Sequence, residues 1–86
     1  MYLHLGQNTV ITLNEIVGIF DLDNTTVSKK TRDYLSSSEK KGEIKVVSTE
    51  LPKSFIVCSS EKEKNSVYLS QISTATLLKR TQDFKY

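Results

Sequence analysis

The sequence is poor in the residues that build most small reactive centres. It has one cysteine, one histidine, one proline, three glycines and no tryptophan. Cys58 alone cannot close an intramolecular disulfide, and with His4 as the only histidine it cannot complete a tetrahedral zinc site. Gly6, Gly18 and Gly42 stand apart and form no phosphate-cradling loop. No apolar run approaches the roughly 20 residues of a membrane span, and residues 1–6 lack the basic flank and apolar core of a secretion signal. The expectation is a cytoplasmic protein without a cofactor, a metal, a membrane association or a small-molecule substrate.

Basic residues are also missing from the first 24 positions, which hold Glu15, Asp21 and Asp23 and a net charge of −3. Residues 25–86 carry all twelve lysines and arginines against seven acids, a net of +5. The overall +2 therefore conceals a polarised chain, and an anion-binding surface has to come from the latter two-thirds. At 86 residues, 37% hydrophobic and 26% charged, the composition is that of one small globular domain. Such a domain buries only roughly 60% of its unfolded surface, so self-association is an expected supplement to its stability.

Period and punctuation give the elements. Tyr2-Leu3-His4-Leu5 and Thr9-Val10-Ile11-Thr12 read as strands joined by a turn at Gly6-Gln7-Asn8. Glu15-Ile16-Val17-Gly18-Ile19-Phe20 reads as a third strand, stopped by Asp21-Leu22-Asp23-Asn24. A helix over about 27–41 follows, capped by Thr25 or Thr26, with Val27, Thr31, Tyr34, Leu35 and Ser38 on one side. Lys29, Lys30, Arg32, Lys40 and Lys41 lie mostly on the other, with Asp33 among them, and Gly42 suits the position just past its end. Residues 44–47, 54–58 and 66–69 read as strands, the last two joined by a charged tip. Ser73 caps a short C-terminal helix, with fraying expected from Lys79 and a tail at 81–86. The order β-β-β-α-β-β-β-α predicts an α+β domain, residues 1–80, with a mainly antiparallel sheet and one face or edge left uncovered.

Val17-Gly18-Ile19-Phe20-Asp21-Leu22-Asp23-Asn24-Thr25 resembles the first motif of haloacid-dehalogenase-type phosphatases, in which Asp21 would attack phosphorus and Asp23 serve as acid/base. That family needs a doubly wound parallel domain, which this length cannot build, and a second acidic pair that only Glu61 and Glu63 resemble. The motif therefore reads as turn and cap chemistry, and the chain as a non-enzyme. His4 reads as structural, and Cys58 as a small buried hydrophobe. The basic helix face, extended by Lys53 and Lys45, reads either as an ordinary solvated face or as a surface that neutralises the phosphates of duplex DNA. On the second reading Lys53, Lys29, Lys30 and Arg32 are the DNA-binding residues. No base-reading signature accompanies them.

Tyr2-Leu3-His4-Leu5-Gly6, Ile16-Val17-Gly18-Ile19-Phe20-Asp21-Leu22-Asp23, Leu51-Pro52-Lys53-Ser54-Phe55-Ile56-Val57-Cys58 and Ile72-Ser73-Thr74-Ala75-Thr76-Leu77-Leu78-Lys79-Arg80 resemble the Rem family of extracellular-matrix (biofilm) regulators of Firmicutes, in particular its RemB branch. The similarity runs from Met1 to about Arg80 in matching order. The resemblance implies a DNA-binding transcriptional regulator that works as a ring-like homo-oligomer, in agreement with the residue pattern, which predicts a basic surface away from the apolar one. One departure stands out. In the RemA pattern a pair of arginines precedes the strand matching Phe55 to Cys58, whereas here the segment is Glu50-Leu51-Pro52-Lys53, and only Lys53 carries over. An assembly module that binds no DNA is the contrasting expectation.

Overall fold

A computed structural model describes residues 1–22, 28–62 and 64–82. Strands β1 (Tyr2–Gly6) and β2 (Thr9–Thr12) form an antiparallel hairpin. Its turn needs left-handed backbone at two successive positions, and Gln7 (φ 49°) and Asn8 (φ 72°) adopt it, as a tight hairpin of native twist requires. A single 3-10 turn at Leu13–Glu15 leads into β3 (Ile16–Asp21), and helix α1 spans Lys29–Lys40. Strands β4 (Ile44–Val46), β5 (Ser54–Cys58) and β6 (Ser66–Ser70) follow, and helix α2 (Thr74–Gln82) ends the described chain.

The main sheet has the order β3-β5-β6-β4. Its β3–β5 and β5–β6 pairs are antiparallel, but β4 runs parallel to β6. The fold is the expected α+β, with one parallel pair in an otherwise antiparallel set. That pair makes β3-α1-β4 a crossover from one edge of the sheet to the other, so α1 must traverse the sheet face.

Register decides what each face holds. Ile19, Ile56 and Tyr68 align across β3, β5 and β6, and so do Phe20, Phe55 and Leu69 one step away on the opposite face. The first face meets the hairpin and α2. There Leu3, Leu5, Ile11, Ile56, Cys58 and Leu77 make the buried core, with Ile16, Ile19, Tyr68 and Ile72 packed around it. With one long helix, a face or edge of the sheet was expected to stand uncovered; the hairpin and α2 cover this face. Burying one such aliphatic side chain contributes about 1.5–3 kcal/mol.

Two serines join the layers. Ser54 and Ser70 face each other across β5–β6 and are fully buried. Ser70 Oγ donates to the Leu5 carbonyl of the hairpin at 2.8 Å and accepts from the Ile72 amide at 3.1 Å, while Ser54 Oγ donates to the Ile72 carbonyl at 2.8 Å. Arg80 Nη1 adds a bond from α2 to the His4 carbonyl at 2.9 Å.

The helix ends correct the reading in part. Ser28, not Thr25 or Thr26, caps α1, its Oγ accepting from the Thr31 amide at 3.2 Å. Thr25, Thr26 and Val27 lie outside the described residues. Gly42 takes φ 72°, donating to the Glu39 carbonyl while the Glu43 amide donates to Ser38, the paired bonds of a Schellman cap. Ser73 caps α2 as expected, accepting from the Thr76 amide, but the helix continues through Lys79 to Gln82 where fraying was expected. Residues 83–86 are outside the described set.

The serine seam generates a stability prediction. Ser70→Ala strands the buried Leu5 carbonyl and Ile72 amide and should lower the free energy of unfolding by about 1–3 kcal/mol. Leu77→Ala should cost about 2–5 kcal/mol through the cavity it opens. Urea melts measure both, and a Ser70→Ala midpoint equal to the parent's would show that the seam carries no stability.

Candidate functional site

The charge on α1 divides by its physics. Lys40 and the capping Lys41 sit at the carbonyl end, where a cation complements the helix dipole. Lys29, Lys30 and Arg32 sit at the amide end, where the dipole is positive, and no acid occupies the first turn. Cations there are disfavoured by a few tenths of a kcal/mol each, so they raise the local positive potential without serving the helix. All three are exposed.

The fold brings Lys53 toward the same corner. Its amide donates to the Ser70 carbonyl at 2.8 Å and its carbonyl accepts from the Leu22 amide at 2.8 Å. These bonds fix the Lys53 backbone where β3 ends and β5 begins. Leu22 and Pro52 border Arg32 in a groove of about 420 Å³ that also holds Leu35, Ile44 and Leu69. Lys30 lies on the opposite flank of α1, beside Val17, Phe20 and Tyr34. Arg32 therefore lies on one side of the helix, in the groove that Leu22, Pro52 and Glu39 border, and Lys30 on the other, with Lys29 exposed at its start.

Two expectations are corrected. Lys45 does not extend the α1 face, because the register pairs it with Tyr68 on the core face, and its ammonium lies 5.5 Å from the Tyr68 ring centroid. The basic surface is also not remote from the apolar one. Lys30 borders a second groove, about 360 Å³, walled by Phe20, Phe55 and Tyr34. The Phe20 and Phe55 rings stack with centroids 4.9 Å apart, and Tyr34 tilts toward Phe55 at 6.4 Å. This groove was not among the features expected from the sequence. The signal was present in the alternation of Ser54-Phe55-Ile56-Val57-Cys58, which sends Phe55 and Val57 to the face opposite Ile56.

The remaining candidates are not brought together among the described residues. Asp21 closes β3 opposite Ser54, and Asp23, its partner in the phosphatase-like motif, lies outside the described residues, as does Glu63. Among the described residues no three His, Cys, Asp or Glu side chains gather as a metal site, and no helix is long and apolar enough to cross a membrane. His4 is exposed, and only its carbonyl is engaged by Arg80. Cys58 is buried, and its thiol is pushed up from 9.0 to about 11 by burial first and the Glu15 charge second, with Lys45 opposing.

The arrangement is that of a small α+β domain that presents the cations at the start of α1 beside an apolar groove. No family model matches the chain. It is 35% identical over 82 residues to extracellular matrix regulatory protein B of Bacillus subtilis (strain 168), covering 95% of this chain and 91% of that protein. The chain belongs to the Rem family of extracellular matrix regulatory proteins, as a RemB-like member.

Cys58 supplies a pH prediction. Its folded pKa lies above the unfolded value, so stability is fully present below pH 9 and falls as pH rises toward about 11, because the unfolded chain ionises first. Cys58→Ala should flatten that decline in urea melts. At pH 8 iodoacetamide should alkylate the folded protein about one-hundredfold more slowly than the unfolded chain. Equal rates would show that the thiol is open to solvent.

Proposed function

We infer that this protein is a non-enzymatic, DNA-binding transcriptional regulator of extracellular-matrix genes. It acts in the cytoplasm, at the nucleoid, as a homo-oligomer that holds double-stranded DNA by its phosphate backbone. The observation that supports the reading is the cluster of Lys29, Lys30 and Arg32 at the positive end of α1, with the Lys53 backbone fixed where β3 ends and β5 begins. A regulatory role is what the printed name of the Bacillus subtilis relative describes for that protein. Lysines suit this work as point charges on phosphates, and they lack the bidentate fork with which arginine reads guanine. Binding of this kind is salt-dependent and largely indifferent to sequence, so repeated copies multiply weak contacts into useful affinity.

A second reading has its own observation. In the loop before β5, where the RemA pattern has its arginines, Leu51 is 86% exposed, and Val46 on the edge strand β4 is 66% exposed. Exposed aliphatic groups at a sheet edge suit protein contact, so an assembly module without DNA binding is the alternative.

Fluorescence anisotropy with a generic labelled duplex separates the two, at a protein concentration where light scattering has fixed the assembly state. On the DNA reading, log affinity falls linearly with log salt, by about 0.9 per phosphate neutralised. The triple variant Lys29→Glu, Lys30→Glu, Lys53→Glu weakens binding severalfold while its urea midpoint stays near the parent's. Flat, negligible binding by the assembled protein supports the assembly module instead.

A further inference from the structure

The groove between α1 and the β3–β5 side of the sheet is a site that DNA contact does not account for. Val17, Phe20, Tyr34, Phe55 and Val57 make its walls, and Lys30 and Thr31 lie on its α1 rim. Its volume of about 360 Å³ falls within the range of small-molecule pockets. Val17 is 68% exposed, Phe20 45% and Tyr34 42%, so three large apolar side chains on one concavity stand open to water.

The concavity is built into the backbone. A Cβ at Gly18 would come within 2.7 Å of the Phe20 ring, so only glycine lets that ring fold back over β3. Phe20 is then held against Phe55, the most buried residue of the wall.

Charge selects the occupant. Among the described residues no acid lines the groove, and Lys30 has no ion-pair partner. A second copy docked here about a two-fold axis would bring two copies of Lys30 together with no acid among the described lining residues to offset them. A phosphate backbone would satisfy Lys30 but leave the walls wet. A molecule with a hydrocarbon body and one anionic end meets both demands.

We propose that the groove binds an amphipathic monocarboxylate, its hydrocarbon lying along Val17, Phe20, Tyr34, Phe55 and Val57 and its carboxylate on Lys30. The carboxylate takes up a charge that belongs to the cationic corner, so occupancy opposes DNA binding. That second statement rests on the DNA reading above. The binding itself does not.

The test titrates the ¹⁵N-labelled full chain with octanoate, below its micelle concentration, and separately with 1-octanol. Saturable shifts should concentrate at the amides of Val17, Phe20, Thr31, Tyr34 and Val57. Lys30→Glu should weaken octanoate about tenfold, from loss of an attraction and gain of a repulsion, and leave octanol nearly unchanged. Val17→Glu, at a position exposed enough to spare the fold, should exclude octanoate as well. Three results overturn the proposal. One is no saturable shift in the groove. Another is octanol binding as tightly as octanoate. The third is groove amides that move with protein concentration alone as scattering mass rises, which makes a second copy the occupant. Octanoate should also lower the duplex affinity of the parent and not that of Lys30→Glu. A protein that binds octanoate and no duplex keeps the site and loses only the antagonism.

Discussion

Strand β5 is buried on both faces, and that constraint organises the rest of the molecule. Ile56 and Cys58 point into the core under the hairpin and α2, while Phe55 lies under the α1 side with about 4% of its surface exposed. A five-residue strand buried this way needs cover from two directions. The N-terminal hairpin and α2 supply one cover, and α1 supplies the other. Ser54 and Ser70 sit at the margin of this arrangement, where backbone carbonyls of the hairpin and of the β6–α2 turn would otherwise be stranded in a dry layer. Small hydroxyls fit there because a larger side chain would force the hairpin off the sheet.

Cover on the α1 side is incomplete for a geometric reason. Four strands at about 4.8 Å spacing span about 14 Å from first to last, whereas a helix with its side chains is about 10–12 Å across. A crossover that enters at β3 and leaves at β4 lays that single helix over the sheet and leaves a groove on each flank. Because the helix begins with Lys29 and Lys30, its charged end adjoins the groove beside β3. The cationic corner and the apolar concavity are thus two results of one topology.

Much of this was legible in the sequence where local rules decide it. The hairpin turn, the limits of β2 and β5, the Ser73 cap and the Gly42 cap all follow from side-chain alternation or from backbone conformations that few residues adopt. The features that escaped are set by pairing between distant segments. Nothing in Ile44-Lys45-Val46 states that it lies parallel to β6, so nothing local states that Lys45 turns to Tyr68. Ser28 competes with Thr25 and Thr26 for the cap on nearly equal chemistry, and a span of a few residues decides among them. Helix α2 looked short because Lys79 and Arg80 read as an end, yet in place they complement its carbonyl terminus and Arg80 bonds to β1. The apolar groove was hidden because Phe20, Tyr34 and Phe55 come from three separate elements.

The electrostatics of α1 set the cations at its start apart from those at its end. Lys40 and Lys41 are held by the helix that they stabilise, so part of their charge is already spoken for by the last carbonyls. Lys29, Lys30 and Arg32 face a dipole of their own sign, and Ser28 satisfies the Thr31 amide without adding a negative charge. An external anion at that corner gains from the cations and from the dipole together, and it relieves a repulsion that folding imposed. If two anions compete for Lys30, thermodynamic linkage makes their effects reciprocal: the factor by which a carboxylate in the groove weakens a phosphate is the factor by which the phosphate weakens the carboxylate. Coupling of this kind needs no movement of the fold, because both ligands draw on the same side chain.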